Sequence, residues 1–249
     1  MGLEFKNMEN QNKHPYIIFI AIIIAGLMVS VAIMFKGGLK NDSLQSAISQ
    51  NKQSKESAEN KETRKKEDVN IAGEGDDPVL GNPDAPITLT IFGDFQCHFC
   101  RKLELEIKPQ IIEKYVKTGK VKIIARDFPF LDDNSVLAAE AADCALEQNK
   151  YWEFSYALHK VQDDREIMSI TPDALKEMAA NLNLSIDKFD KCLDSNQYFE
   201  EVNKDFEDGK ILGITGTPTS FINKEVINGA EPFSEFAKVI DALLAETKR

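Results

Sequence analysis

Apolar and polar positions divide this chain into three regimes. Pro15 to Phe35, "PYIIFIAIIIAGLMVSVAIMF", carries no charge and matches the ~20 apolar residues that take a helix across a bilayer. We read residues 15–35 as a retained transmembrane helix, because a cleaved signal sequence has a shorter apolar run of roughly 7 to 15 residues. Ser30-Val31-Ala32 loosely resembles a cleavage site, which keeps removal of the helix as the alternative. Lys6 and Lys13 precede the span, and Lys36 and Lys40 follow it, so basic residues do not orient it. Residues 36–76 are rich in Lys, Glu, Ser, Asn and Gln and contain no aromatic residue beyond the span. Such a stretch buries no core and reads as a flexible polar linker, or a partly helical stalk.

From residue 77 the periodicity becomes that of a folded domain. "PITLTIF" (Pro86 to Phe92) alternates Ile87, Leu89 and Ile91 with threonines, which predicts a strand. Leu103, Ile107, Ile111, Ile112 and Tyr115 then recur at helical spacing, with Pro109 as an expected kink and Thr118-Gly119 as a stop. "KVKIIARDF" (Lys120 to Phe128) is a second strand, and strand, helix, strand at this spacing forms a parallel βαβ unit. From about 131 to 210 the pattern is helical, in three segments; Thr171 caps the second and Pro172 occupies its first position. "TPTSFIN" and "EVING" predict two short strands joined near Asn223 and Lys224, and "SEFAKVIDALLAE" a closing amphipathic helix. The fold class is therefore α/β: βαβ, a helical insertion, then ββα.

Charge narrows the possible partners. The formal net charge is −11, nearly all of it on residues 77–249, so neither a basic nucleic-acid face nor a nucleic-acid partner is expected.

The chemistry sits in "FGDFQCHFC". A CxxC pair is half a zinc site, a structural bridge or a redox couple. Zinc requires two further ligands at finger spacing, whereas Cys144 and Cys192 lie apart on helical segments and His14, His98 and His159 form no cluster. Cys97 falls where the strand ends and Cys100 in the first helical turn. There, unpaired backbone N–H groups and the helix dipole stabilise a thiolate. His98 and Phe99 are the candidates for tuning the couple: His98 through its charge, the alternative being an exposed residue with little effect, and Phe99 more as a surface or docking contact than through chemistry.

These residues resemble the DsbA-like thiol:disulfide oxidoreductases of the thioredoxin superfamily. The likeness covers about residues 77 to 247 and rests on "DDPVLGNPDAP" as the lead-in, "FGDFQCHFC" as the active site, "TGKV" followed by "RDFP", and "GITGTPTSFIN" as a cis-proline loop. The resemblance implies a thioredoxin fold with an inserted helical domain. Cys97 becomes the exposed nucleophile, Cys100 the buried resolving thiol, and Thr217-Pro218 a cis peptide that binds substrate beside them. It also implies that Cys144 and Cys192 pair as a structural disulfide, the alternative being two buried free thiols. In many relatives a buried acid stands six positions before the first cysteine and relays the proton of the resolving thiol. Here that position is Ile91. Asp94 is nearer in sequence, but as a strand-end residue it is expected to be solvated.

The resemblance further implies a membrane-tethered oxidase that donates disulfides to reduced extracytoplasmic proteins. Reoxidation would come from a membrane quinone-linked thiol oxidase, DsbB-like or vitamin K epoxide reductase-like. Residues 1–14 would then be cytoplasmic, the helix would lie in membrane lipid, and the domain would face a compartment where thiols are not kept reduced. No cofactor or metal is expected. A reductase or isomerase in the same compartment is the alternative. A copper-binding chaperone module is a third reading, since thiolates suit Cu(I), but it lacks an evident further ligand besides His98.

Overall fold

A computed structural model of the chain describes residues 65–73, 75, 77–161 and 170–247. The expected cytoplasmic segment, the membrane helix and most of the linker lie outside the described residues. Within them, no helix is long and apolar enough to cross a membrane.

Five strands form one sheet: β1 Val79–Leu80, β2 Ile87–Gly93, β3 Val121–Asp127, β4 Thr219–Ile222 and β5 Glu225–Asn228, in the order β1-β3-β2-β4-β5. β2 and β3 are parallel, with Ile87 opposite Val121 and Gly93 opposite Asp127, and the remaining pairings are antiparallel. The alternation in β2 has the expected effect. Ile87 and Leu89 face one apolar layer, and Phe92 faces the other.

The crossover between β2 and β3 is helix α1, residues 98–116. It is α-helical at His98–Lys102, widens into π-type turns at Leu103–Ile107, returns to α at Lys108–Ile111 and widens again at Ile112–Val116. The sequence explains this alternation. Leu103, Ile107, Ile111 and Tyr115 are all buried and follow a strict four-residue repeat. That repeat outruns an α-turn of 3.6 residues but falls short of a π-turn, so mixing the two keeps the apolar stripe straight against the sheet. Pro109, which lacks an N–H, lies in the first turn of the second α-stretch next to a π-turn, where the regular bond is already given up. Helix α7 (Phe233–Glu246) completes this layer with Phe236 and Ile240.

Among the described residues the insertion contains five helices rather than three: α2 Asp133–Leu146, α3 Tyr151–Val161, α4 Pro172–Asn181, α5 Ile186–Asp194 and α6 Phe199–Leu212. The first and third predicted segments are each broken in two. Asn149 (φ 58°) ends the turn after α2, and Asn196 (φ 50°) the turn after α5. Asparagine tolerates left-handed backbone, so it breaks a helix without a Gly or Pro to announce it. Thr171 caps α4 by accepting from the Ala174 N–H at 3.3 Å, with Pro172 in the first turn.

α6 lies on the second face of the sheet, so close that a Cβ on Gly209 would meet the Phe128 ring at 2.5 Å. The core on this face includes Val69. The linker expected to run to residue 76 therefore ends earlier. The polar composition of the stretch hid one buried valine and the carbonyl of Asn70, which accepts from Arg126 Nη1 at 3.1 Å. Arg126 itself is buried in β3, where Asp205 and Asp208 of α6 and Asp77 of the lead-in surround its guanidinium. A second feature the sequence did not reveal is β1, whose two residues are too few to show a period.

Cys144 of α2 and Cys192 of α5 are joined in a disulfide, with a Cα–Cα distance of 5.8 Å, inside the core of the insertion. Replacing both by Ala is expected to lower stability by roughly 4 kcal/mol at most, from loop-closure entropy over a separation of 48 residues. Thiol exchange by the folded molecules should survive. Denaturant titration of parent and variant measures the difference, and an unchanged midpoint would show that the bridge contributes nothing.

Candidate active site

β2 delivers the chain into the turn 94–97, and α1 begins at its end. Cys97 is the N-cap (φ −76°, ψ 121°), and its carbonyl accepts the first helical bond from the Arg101 N–H at 3.0 Å. Cys100 lies in the first turn, directed back under the sheet end, where the Asp94 N–H approaches its Sγ at 3.4 Å. The Thr217–Pro218 peptide is cis. It brings the Thr217 carbonyl to 3.3 Å from Cys97 Sγ, a contact in which the thiol donates.

Both cysteines are enclosed. Cys97 is 8% exposed and Cys100 5%, so the expectation of an exposed nucleophile is corrected: the cis-proline loop and Cys100 cover most of its surface. What separates the two sulfurs is electrostatic. The Cys97 thiol is lowered to about 5, chiefly by the hydrogen bond from Cys100. The Thr217 side chain and the backbone N–H groups of Cys100 and Phe99 add to this, against the opposing effect of burial. Cys100 is pushed well above its ordinary value, first by burial and then by the neighbouring Cys97. At neutral pH the pair is therefore one thiolate and one thiol, and only Cys97 is ready to attack.

His98 and Phe99 are exposed, with ring centroids 5.7 Å apart in an edge-on contact. The main groups that lower Cys97 are the second thiol, the Thr217 side chain and the helix-start amides, a different set from the imidazole suggested by sequence. Phe99 is 57% exposed, and Phe130 and Leu131, on the loop beyond β3, are 41% and 49% exposed.

Asp94 is the clearest departure from expectation. Its side chain is not solvated; the residue is 2% exposed. One carboxylate oxygen accepts from the Gln96 N–H at 2.8 Å and from Ser135 Oγ at 2.7 Å, the other from the N–H groups of Phe130 and Leu131 at 3.0 and 3.3 Å. Burial raises its pKa while these donors oppose the rise. Asp94 thereby fastens the active-site turn to both the β3–α2 loop and the insertion. Sequence carried no sign of this, because the four donors come from three separate stretches.

Beneath Cys100 is a cavity of about 50 Å3 lined by Ile91, Glu104, Lys108, Trp152 and His159 among others. Ile91 stands where many relatives carry an acid, and it lines this cavity with carbon. The described residues include no group of three His, Cys, Asp or Glu side chains able to hold a metal ion.

Comparison with known proteins agrees with this geometry. A family model described as Thioredoxin matches residues 74–242. The probable disulfide bond formation protein D of Bacillus cereus is 31% identical over 166 residues, which cover 65% of this chain and 76% of that protein. Disulfide bond formation protein D of Bacillus subtilis is 29% identical over 167 residues, covering 66% and 75% respectively. Among solved structures, oxidised BdbD from Bacillus subtilis superimposes with a TM-score of 0.65 at 28% identity, over 70% of this chain and 96% of that one. The alpha-DsbA1 of Wolbachia pipientis gives 0.65 at 29% identity, over 74% and 97%. With its thiolate-and-thiol pair, cis-proline loop and inserted helices, the chain belongs to the DsbA-like thiol:disulfide oxidoreductases of the thioredoxin superfamily.

Proposed function

We propose that the chain is a membrane-tethered disulfide donor acting on reduced proteins outside the cytoplasm, with Cys97 as the attacking sulfur and Cys100 as the resolving one. The observation that carries this reading is the placing of Cys97 at the N-cap of α1, one turn from Cys100 and 3.3 Å from the carbonyl of the cis Thr217–Pro218 peptide, surroundings that lower its thiol to about 5. A thiolate so stabilised makes the reduced form the stable one, and the disulfide correspondingly eager to be passed on. The uncharged run at residues 15–35 supports the tether, and a compartment without reducing thiols is where a donor is useful. The exposed Phe99, Phe130 and Leu131 suit an unfolded client, and the backbone of Thr217 beside Cys97 suits an extended one. Reoxidation falls to a membrane quinone-linked oxidase of the DsbB-like or vitamin K epoxide reductase-like kind.

Equilibration of the chain with glutathione buffers tests the direction of exchange. The potential of the Cys97/Cys100 couple is expected to lie well above the roughly −270 mV of thioredoxin, toward the −120 mV or so of strong oxidants. A value near thioredoxin's would make the protein a reductase.

The pH dependence follows from the same thiol. The folded pKa of about 5 is below the ordinary 9.0, so ionisation favours the folded reduced state. That contribution is complete above about 9 and is lost as pH falls through about 5. The stability of the reduced protein relative to the oxidised one is therefore expected to grow between those limits, and melting both forms at several pH values checks it. A gap that is constant with pH would contradict the lowered thiol.

Substitutions separate the two sulfurs. Cys97→Ser is expected to abolish exchange, whereas Cys100→Ser accumulates mixed disulfides at Cys97 that non-reducing electrophoresis detects; the opposite pattern reverses the roles. For the tether, an impermeant label applied to intact cells is expected to reach residues 77–249 and not residues 1–14, and labelling of the N-terminus alone defeats the topology.

A further inference from the structure

Behind the reactive pair, on the face of the sheet that α6 covers, lies a small apolar cluster of Val69, Phe92, Phe128, Leu212, Ile214 and Phe221. Most of its members are roots of the loops that build the site. Phe92 stands two residues before Asp94, where the active-site turn leaves β2, and Phe128 stands two before Phe130, on the loop beyond β3. Ile214 precedes Thr217 by three residues and Phe221 follows Pro218 by three, so the pair brackets the cis-proline loop. The Phe92 and Phe221 rings meet edge-on with centroids 5.8 Å apart, and the Phe128 N–H donates to the Gly93 carbonyl at 2.7 Å. Val69 is the exception. It is 7% exposed, yet it comes from neither the sheet nor the insertion but from the stretch 65–73, which continues the polar linker.

That stretch is shaped to hold the valine in place. Lys66–Asp68 make one 3-10 turn, in which the Lys65 N–H donates to Asp68 Oδ2 at 3.1 Å and the Asp68 N–H to the Lys65 carbonyl at 2.9 Å. Beyond Val69 the Asn70 side chain closes a second turn. Its Oδ1 accepts from the Ala72 N–H at 3.1 Å and its amide donates to the Gly73 carbonyl. Gly73, at φ 72°, supplies the left-handed backbone that ends the turn. The turn presents the Asn70 carbonyl to Arg126, whose Nη1 donates to it at 3.1 Å. The same guanidinium lies 5.0 Å from the centre of the Phe92 ring. Residues 65–73 thus reach the root of the active-site turn by two routes, one apolar through Val69 and one polar through Arg126.

We propose that residues 65–73 are a strap that sets the active site from behind, with Val69 and Asn70 as positioning residues for thiol exchange. Asp94 holds the front of the site, but its four donors come from the turn, the loop beyond β3 and α2, and none from the cis-proline loop. The roots of all three loops meet only in the cluster that Val69 completes. The contact of Cys97 Sγ with the Thr217 carbonyl, 3.3 Å long, spans two of those loops, so a shift at either root is felt at the sulfur. With the strap seated the cluster is filled. With it withdrawn, Phe92 and Ile214 close on the vacated space, because packed interiors do not hold a gap of that size without relaxing. The last residues of the linker therefore have a second duty besides reach, and a chain cut free of its linker keeps a well-set site only when the cut falls before residue 65.

The inference rests on Cys97 being the attacking sulfur, and the experiment keeps the two assumptions apart. In the full-length chain, Val69→Ala and Asn70→Ala are each compared with the parent by two measurements. One is titration of the thiolate absorbance of Cys97; the other is the rate of adduct formation with oxidised glutathione at pH 5, trapped with acid and located by mass. In both variants the titration midpoint is expected to move up by about one unit, a tenfold loss of thiolate stability, and the adduct to form roughly 5-fold more slowly, as the thiolate fraction falls. Asn70→Ala leaves the apolar cluster unchanged and keeps the test valid if Val69→Ala folds poorly. Ile240→Val, in the core on the opposite face of the sheet, lowers stability without reaching the loop roots and is expected to keep the parent midpoint. Parent midpoints and rates in both strap variants overturn the strap. So does an equal shift in Ile240→Val, which traces the effect to lowered stability at large. If the parent chain forms its adduct at Cys100 instead of Cys97, the assignment of the two sulfurs fails and the strap with it.

Discussion

Two sulfurs with opposite tendencies to hold a proton are kept apart here by one turn of helix. Cys97 stands at the mouth of α1, where amides with no partner in the helix converge, and Cys100 stands inside it, where water is scarce. The same few ångströms lower one thiol and raise the other. Each sulfur also acts on its neighbour: the inner thiol donates to the outer thiolate, and the outer charge makes the inner proton harder to remove. The rest of the fold serves this difference. β2 sets where the turn begins, the cis-proline loop closes over Cys97, and the insertion closes over Cys100.

Holding such a difference requires rigid attachment between parts of the chain far apart in sequence. Asp94 provides it at the front of the site by joining the turn, the loop beyond β3 and the start of α2 through four donors. Arg126 provides it behind, where its buried guanidinium gathers Asn70, Asp77, Asp205 and Asp208. In each case one ionic group satisfies several partners, which limits the penalty of burying a charge. Removing either group would strand its partners rather than merely break one bond.

How much of this could be read in advance depended on how local the signal was. The alternation in Ile87–Ile91, the cap at Thr171-Pro172 and the CxxC at a strand–helix junction are local, and they locate the sheet core, α4 and the two sulfurs. The burial of Asp94 and Val69 depends on partners dozens of residues away, and no period marks either. The breaks at Asn149 and Asn196 rest on a backbone conformation that asparagine tolerates without requiring, so composition alone read through them.

Any open strand is a template for further strands, and a sheet whose borders are long and exposed invites edge-to-edge pairing. The sheet here limits that hazard at both borders. β1 is two residues long, and β5 is four, beginning at the exposed Glu225. Borders so short give an incoming chain little length to pair with, which blunts edge-to-edge aggregation. The longer strands β2 and β3 lie inside: β2 is paired on both sides, and β3 is paired with β2 along its length and with β1 at Ile123 and Ile124. A molecule with borders this short can be concentrated without offering its own sheet as a template for fibres.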